Sequence, residues 1–490
     1  MDTPASASVP GREATLSRAC WFVIIAAAAL LVFWQLGSGP LVEFDEFYTA
    51  ERSREMLVTS FPLKVQENFD LNVLKPPLHY ALTGAALAVI PDHEAALRLW
   101  PALFGWGSVV LAGLLTRRLS GGWTPAAPLA SLLLAASFLF WSQSRSALLD
   151  TGCAFFALLT LFPLIAAKNN PRWWLAAGAI AALGTMQKYP LPFLPMLVFV
   201  VVYSIHTRSL RPLKTPWLWV GLAFPALSFV GWFFVQALNS SGTFVLRAFE
   251  RQFFQRATES EAGGYHSSFA YYFDLMTGDY TLAVPLLLGA LAAVFVVRCL
   301  RQRPALLGTA LSTLLLLLGL GLMSKHSERY LVALYPLLAV TTATVIDLLA
   351  GKHRTLVCAL AALLLLPCAW RWPAQLADWN ARPQPQAPAV RLAPGFAAAI
   401  EPDEQVILAV SGDTQYDLHV GSILFYGDFQ QKLWFINLDG VKSIRTYFTD
   451  NVRGIAHVRD LPVLEANFPY LQIVAQDGDI IHFTSKAPTQ

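Results

Sequence analysis

Apolar runs dominate the chain and limit what it can fold into. A membrane-spanning helix needs about 17–25 apolar residues. Eleven runs meet or approach that length: residues 19–37, 98–116, 125–142, 149–167, 172–187, 190–206, 216–238, 281–298, 304–323, 328–349 and 354–370. Only 14% of the 490 residues are charged, against about 25% in soluble domains. The sequence therefore predicts an α-helical, multi-pass membrane protein. A net charge of +3, dispersed between apolar runs, argues against nucleic acid as a partner.

One further apolar run, residues 78–90, is too short to cross a bilayer. It has 13 residues between Pro77 and Pro91. A helix of that length extends about 20 Å, whereas the hydrocarbon core is about 30 Å thick. We therefore predict a juxtamembrane helix, which lies at the interface or packs against the bundle.

The distribution of Lys and Arg predicts the orientation. If residues 78–90 do not span and the N-terminus is inside, the cytoplasmic loops hold twelve basic residues: Arg117, Arg118, Lys168, Arg172, Arg208, Arg211, Lys214, Arg298, Arg301, Arg303, Lys352 and Arg354. The short loops on the other side hold four: Arg145, Lys188, Lys325 and Arg329. Since basic residues concentrate in cytoplasmic loops, the polar stretch 43–77 is predicted to face away from the cytoplasm.

The apolar and polar stretches also predict the domain boundaries of the chain. Residues 1–370 are predicted to form the transmembrane domain, with outer loops at 38–97 and 239–280. A Pro-rich linker follows at 371–400, and then a small α/β domain at 401–490 on the outer side. Within that domain we predict strands at 406–410 and 471–474, a hairpin turn at 476–479 leading into a strand at 480–483, and a helix at 414–432.

Charged and polar residues of the membrane part converge on the predicted outer side. The set is Asp45, Glu46, Lys75, Arg145, Asp150, Lys188, Lys325, Arg329 and Tyr330. Each one taken alone reads as a snorkelling residue at a helix end. Together, several cations suit a phosphate, and a nearby carboxylate suits a base that deprotonates a hydroxyl. The sequence lacks the glycine patterns of nucleotide-binding loops, so a lipid-linked phosphate fits better.

Three groups of motifs carry a resemblance to a known family. They are Asp45-Glu46-x-x-x-Ala50-Glu51 with Arg54-Glu55-Met56-Leu57, then Lys75-Pro76-Pro77-Leu78-x-Tyr80 with Ala96-x-Arg98-Leu99-x-Pro101, and finally Arg145-x-x-x-x-Asp150, Lys188-x-Pro190 and Ser324-Lys325-x-x-x-Arg329-Tyr330. In this order they resemble the GT-C fold membrane glycosyltransferases, of the type that includes the lipid A aminoarabinose transferase and the protein O-mannosyltransferases. The resemblance covers about residues 20–340.

The resemblance implies an inverting sugar transfer at the periplasmic face of a bacterial inner membrane. The donor would be a sugar linked to polyprenyl (undecaprenyl) phosphate, and the acceptor a periplasmic glycolipid such as lipid A or lipopolysaccharide, a glycan or a protein. By the resemblance, Asp45 would match the catalytic carboxylate and Lys75 a lysine near the donor phosphate. From the residues themselves, Asp45 is assigned as the base, and the adjacent Glu46 as support or acceptor contact. The converging charges assign Arg145, Lys188, Lys325, Arg329 and Tyr330 to the donor phosphate together with Lys75, with Asp150 supporting them.

Departures from the family pattern limit the analogy. Leu74 stands where an acidic residue usually precedes the Lys-Pro-Pro motif, and Tyr48 stands where an arginine is common. His266 resembles a loop histidine that can ligate metal in the family. Because its acidic partner is missing, a solvated loop histidine is favoured over a zinc site. No cofactor is assigned, and a divalent metal at His266 stays the disfavoured alternative. The functional alternatives are a transporter or lipid flippase with an outward-facing charged cavity, and a catalytically inactive scaffold.

Overall fold

The structure of the chain is a computed structural model. It describes residues 11–39, 41, 44–59, 64–72, 74–188, 191–238, 240, 245–247, 250, 268–322, 326–381, 388–401, 404–411, 420–429, 432–438, 448 and 451–487. Its contacts form two compact units. The membrane unit comprises Met1–Leu36, Val73–Leu82 and Arg98–Asn380, and the sheet unit comprises Gly37–Asn72, Thr83–Leu97 and Ala381–Gln490. This division groups the first polar stretch with the C-terminal residues, which the sequence-based bounds kept apart. Those domain bounds stay a prediction.

Helices make up most of the membrane unit, whereas the sheet unit combines helices with strands. In chain order they are α1 (Gly11–Phe33), α2 (Phe44–Val58), α3 (Leu78–Leu87), α4 (His93–Ser120), α5 (Ala126–Ala135), α6 (Phe138–Ser144), α7 (Asp150–Ala167), α8 (Trp173–Lys188), α9 (Leu194–Thr207), α10 (Pro216–Leu238), α11 (Ser268–Tyr280), α12 (Val284–Val296), α13 (Arg298–Arg301), α14 (Pro304–Leu322), α15 (Leu331–Ala350), α16 (Arg354–Leu363), α17 (Leu366–Ala381), α18 (Pro388–Ala398), α19 (Val420–Gly427) and α20 (Leu461–Asn467). The strands are β1 (Gln66–Glu67), β2 (Asp70–Leu71), β3 (Gln405–Val410), β4 (Trp434–Asn437), β5 (Val452–His457), β6 (Leu471–Asp477) and β7 (Ile480–Ser485).

The membrane unit confirms the predicted multi-pass helical fold. Among the described residues, seven helical stretches are long and apolar enough to cross a membrane, or eight if the bent pair α5 and α6 is one span. Each of the eleven predicted spans falls on helical structure, although α8 and α9 are short. Two predicted spans lie within one stretch, Glu328–Trp379, where Gly351 ends α15 with a φ of 52°. The short run before Pro91 forms α3, whose ten residues are too few to span.

A buried carboxylate explains the bend in the predicted third span. Helices α5 and α6 meet at 70°, which leaves the first N–H groups of α6 without partners inside the helix. The N-cap Ser137 accepts from Phe140 N (2.9 Å), and Asp279 accepts from the Ser137 hydroxyl (2.5 Å) and from Phe138 N (2.9 Å). A carboxylate at a helix N-terminus also interacts favourably with the helix dipole. The partner lies 142 residues along the chain from Ser137.

The sheet unit contains the predicted C-terminal α/β fold. Its five-stranded sheet has the order β4-β3-β5-β7-β6, in which β3 pairs in parallel with β4 and β5, and β7 pairs antiparallel with β5 and β6. Alternate residues of β3 face different cores: Val406 and Leu408 pack with α18 and α19, whereas Ile407 and Ala409 pack with α20. Because both faces of β3 are buried, its sequence is a nearly continuous apolar run.

Most predicted elements of this sheet are present, with two omissions. Strands β3, β6 and β7 and the turn at Gly478, with φ 56°, lie where they were predicted. The helix expected at 414–432 is represented among the described residues by α19, Val420–Gly427, and the rest of that prediction falls partly on residues outside the described ranges. Strands β4 and β5 were missed, because β4 has four residues and β5 contains Gly454. Part of the expected linker is helical: α17 continues to Ala381, and α18 begins with Pro388, a residue that suits the first turn of a helix.

Helix α2 is attached to C-terminal residues of the sheet unit through a buried arginine. Arg54 donates from Nε to Glu51 Oε2 (3.1 Å), and from Nη1 to Asp428 Oδ1 (3.0 Å) and to the Phe429 carbonyl (3.0 Å). The β1–β2 hairpin makes a second attachment. There Asn68 donates to the Leu433 carbonyl (2.7 Å) and accepts from Leu433 N (2.9 Å). Two motif residues of the first polar stretch, Glu51 and Arg54, thus stabilise this unit.

Candidate active site

Two helix ends bring an acidic and a basic residue together in the membrane unit. Asp150 is the first residue of α7 and Lys188 is the last residue of α8, and the two helices pack against each other. Each charge suits the dipole at its own helix end. Lys188 Nζ donates to Asp150 Oδ1, and the two side chains are 20% and 9% exposed. The ion pair orients the ammonium group while part of it remains accessible.

Further predicted site residues surround this pair. The Lys188 ammonium lies 5.6 Å from the ring centroid of Tyr330, in a short helical turn, Glu328–Tyr330, that precedes α15. Arg329 is partly exposed in the same turn. Lys75, Lys188 and Asp150 are all near enough to the buried Cys153 thiol for their charges to act on it. Such a group of cations and one aromatic hydroxyl can bind a phosphate.

A buried polar pair, missed from the sequence, connects the segments that hold the two lysines. Gln187 Nε2 lies 2.9 Å from His79 Nδ1, and both side chains are fully buried. Gln187 precedes Lys188, and His79 follows Lys75 by four residues. In the sequence, the pair is indicated only by its position, because each member lies close to a predicted phosphate ligand.

The two carboxylates of the first polar stretch differ in exposure. Asp45 and Glu46 both lie in the first turn of α2, in the sheet unit. Asp45 is exposed, whereas Glu46 is only 3% exposed. Neighbours on a helix point about 100° apart, so the two carboxylates face different surroundings. Of this pair, Asp45 is therefore the carboxylate that a molecule can reach from solvent.

Arg145 has a different environment from the one that a phosphate ligand needs. Its guanidinium donates from Nη1 to the carbonyls of Val32 (2.9 Å) and Trp34 (2.7 Å), and from Nη2 to the Gln35 carbonyl (3.0 Å). It also stacks at 5.3 Å on the Trp141 ring. These carbonyls lie in the last turn of α1 and in the residues that follow it, where helices leave acceptors without intrahelical partners. The contacts favour a structural role for Arg145 at the end of α1.

Two predicted site residues, Lys325 and His266, lie outside the described residues. Within the described ranges, no group of three or more His, Cys, Asp and Glu side chains is arranged to hold a metal ion. The assignment of Lys325 to the phosphate and the interpretation of His266 therefore stay predictions.

Part of the chain is similar to known transferases. Residues 74–235 match the family model of dolichyl-phosphate-mannose-protein mannosyltransferases, which is less than half of the chain. An uncharacterized protein of Aquifex aeolicus is 27% identical over 44% of this chain and 44% of its own length. The undecaprenyl phosphate-alpha-4-amino-4-deoxy-L-arabinose arabinosyl transferase 1 of Pseudomonas fluorescens is 30% identical over 39% of this chain and 36% of its own. The chain thus spans less than half the length of these relatives.

A solved structure resembles nearly the whole chain. The crystal structure of ArnT from Cupriavidus metallidurans bound to undecaprenyl phosphate superposes with a TM-score of 0.72 and 18% identity. The match covers 96% of this chain and 98% of that one. The predicted GT-C fold is therefore confirmed, and Lys75, Asp150 and Lys188 lie in the stretch that the transferase family model matches.

Proposed function

We propose that this protein transfers a sugar from a polyprenyl-phosphate donor to a hydroxyl or phosphate group of an acceptor. The observation that carries the proposal is the ion pair between Lys188 and Asp150, which lies beside the ring of Tyr330. Both members of the pair fall within residues 74–235, the stretch that matches the mannosyltransferase family model. The similar ArnT structure is described as bound to undecaprenyl phosphate, which supports the same class of donor here. This fold likeness favours a transferase over a transporter or flippase.

The donor phosphate is assigned to the cations of the membrane unit. Lys188 and Lys75 act as point charges, and Arg329, Tyr330 and Lys325 complete the set of ligands. Asp150 orients Lys188 through their ion pair. Because the ammonium has three donors, it can bind a phosphate oxygen while it keeps Asp150 as a partner. Arg145 is left out of this set, because its guanidinium donates to carbonyls at the C-terminal end of α1.

Asp45 is assigned as the general base for a hydroxyl acceptor. The acceptor oxygen attacks the anomeric carbon of the donor sugar, and the bond from that carbon to the phosphate oxygen breaks with inversion. The polyprenyl phosphate leaves as an anion, so it needs no proton from the enzyme. The acceptor hydroxyl must lose its proton, and the exposed Asp45 carboxylate takes it. Glu46, which is buried, supports the first turn of α2.

The acceptor and the location follow from the predicted orientation. The charge asymmetry of the loops supports an active site on the periplasmic side of the bacterial inner membrane. An acceptor there is a glycolipid such as lipid A or lipopolysaccharide, a glycan or a protein. Lipids extracted from cells with and without the gene, compared by mass spectrometry, test this assignment. We expect the donor to accumulate and a glycosylated product to disappear when the gene is absent. Identical lipid and glycan profiles would contradict it.

Asp45→Asn tests the assigned base. The substitution keeps the shape of the side chain and removes its basicity, so we expect transfer to fall by about 10²–10⁴. Binding of polyprenyl phosphate should be unchanged. Glu46→Gln is the matched control, and its effect on turnover should be much smaller. Near-parental turnover by Asp45→Asn would show that Asp45 is not the base.

A further inference from the structure

The buried contact between His79 and Gln187 is the strongest unassigned feature of the membrane unit. His79 Nδ1 and Gln187 Nε2 are 2.9 Å apart, and both residues are 0% exposed. Burial, with a smaller contribution from the Lys188 charge, lowers the pKa of His79 to about 3. The imidazole is therefore neutral at physiological pH. Since the amide nitrogen is a donor, Nδ1 is the acceptor and Nε2 bears the proton.

Two atoms of this pair have no partner among the described residues. They are His79 Nε2 and Gln187 Oε1, and both are buried. A buried polar group without a hydrogen bond costs free energy, so an apolar pair of the same shape would stabilise the fold better. The pair is therefore poorly explained by stability alone.

The position of the pair suggests what it does. Lys75 is followed by Pro76 and Pro77, which restrict the backbone, and His79 lies in the first turn of α3. Anchoring His79 therefore anchors Lys75. On the other side, Gln187 is adjacent to Lys188 at the end of α8.

The same glutamine also contacts the helix that starts with Asp150. Gln187 Nε2 lies 3.4 Å from the Leu149 carbonyl. Gly152 gives the amide room, because a Cβ at that position would lie 2.3 Å from Nε2. Three segments, those of Lys75, Asp150 and Lys188, thus meet at one side-chain amide.

We propose that His79 and Gln187 are positioning residues that set the spacing of Lys75 and Lys188 around the donor phosphate. This inference rests on the proposed function, since it names residues that support its donor site. Neither side chain touches the donor. Each acts through the lysine in its own segment.

The test compares variants that remove the hydrogen bond with one that keeps it. His79→Leu and Gln187→Met remove it from opposite sides, whereas His79→Asn keeps an acceptor near the position of Nδ1. With full-length protein, we expect the first two to raise the KM for polyprenyl-phosphate sugar and the Kd for undecaprenyl phosphate by roughly 3- to 10-fold. The kcat at saturating donor should be retained. His79→Asn should restore most of the donor affinity.

A double variant and a control complete the experiment. His79→Leu combined with Gln187→Met should weaken donor binding no more than either change alone, because both remove the same contact. Thr342→Val, which removes a buried hydroxyl that also lacks a partner, should leave the KM unchanged. Lower thermal stability with parental KM and Kd in both single variants would overturn the inference. If the parent protein bound no polyprenyl phosphate, the proposed function itself would fail, and the two failures are therefore distinguishable.

Discussion

Glu55 is a fully buried carboxyl in α2 of the sheet unit. Burial, followed by a hydrogen bond with Glu51 and the charge of that carboxylate, raises the pKa of Glu55 well above its usual value. Arg54 compensates Glu51 through two hydrogen bonds of 3.1 Å. Glu55 in turn accepts a hydrogen bond from Phe69 N (2.8 Å). The folded protein therefore retains a proton on Glu55 at a pH where the unfolded chain has lost it.

This retained proton predicts a pH dependence of stability. A glutamate in the unfolded chain titrates near about pH 4.3. Above that pH the folded state binds more protons than the unfolded state, so stability falls as the pH rises toward the raised pKa. The slope is at most about 1.4 kcal/mol per pH unit for one proton. We expect thermal unfolding between pH 5 and 8 to show this decline, and Glu55→Gln to flatten it.

An exposed carboxyl of the same unit provides the control for that experiment. Glu465 lies exposed on α20, so Glu465→Gln should leave the pH profile of the melting temperature as it is in the parent protein. If the profile of Glu55→Gln matched that of the parent, Glu55 would be ionised in the folded state and its protonation would not explain the decline.

Replacing Arg145 tests whether its guanidinium stabilises the C-terminal end of α1. Arg145→Lys keeps the charge and removes the planar fork, so the carbonyls of Val32, Trp34 and Gln35 cannot all keep their donor. Buried and part-buried carbonyls that lose their donor cost free energy, because the lost hydrogen bonds are not fully replaced. We expect a loss of at least about 1.5–3 kcal/mol of stability. Donor affinity of the folded protein should stay at the parental value.

The exposed Arg118 on α4 supplies a matched variant. Arg118→Lys should change neither the melting temperature nor donor binding. The opposite pattern for Arg145→Lys, with weaker donor binding at parental stability, would return Arg145 to the set of phosphate ligands.

At the scale of elements, the sequence predicted what depends on local pattern and length. Pro77 and Pro91 bracket a run that is too short to span, and α3 is a short helix there. The bend between α5 and α6 depends instead on Asp279, which is distant in sequence. Strand β5 was missed because Arg453 and Gly454 interrupt its apolar pattern, although its pairing with β3 and β7 makes it central.

In the candidate site, too, the sequence predicted individual residues but not the contacts between residues that are distant in the chain. Lys188 and Asp150 were predicted as site residues, and the packing of α7 and α8 brings them together. Arg145 was predicted as a phosphate ligand from its charge, its predicted outer position and the Arg145-x-x-x-x-Asp150 motif, and that assignment stays a prediction. The sequence does not reveal that carbonyls at the end of α1 lie within reach of its guanidinium. His79 and Gln187 were missed because a histidine and a glutamine 108 residues apart give no pairing signal.

At the scale of the whole molecule, reporters at the two ends of helix α4 test the predicted orientation of the chain in the membrane. It has 28 residues and is therefore about 42 Å long, which is enough to cross the bilayer. A reporter fused after Asp92 should lie in the periplasm, and one fused after Ser120 in the cytoplasm, because the basic residues at the end of α4 favour the inside. Cysteine labelling at the two positions gives an independent readout. A cytoplasmic position 92 would remove the basis for a periplasmic site.

The proposed function depends on the binding of a polyprenyl phosphate by the lysines of the membrane unit. The most direct measurement is the Kd for undecaprenyl phosphate of the purified full-length protein in lipid nanodiscs, with Lys188→Ala and Lys75→Ala beside the parent. Each variant loses a charge-assisted hydrogen bond, about 1.5–3 kcal/mol, so we predict binding that is roughly 10- to 150-fold weaker. Lys432→Ala, at an exposed ion pair with Asp70, should bind as the parent does. Parental affinity in both Lys188→Ala and Lys75→Ala would contradict the account.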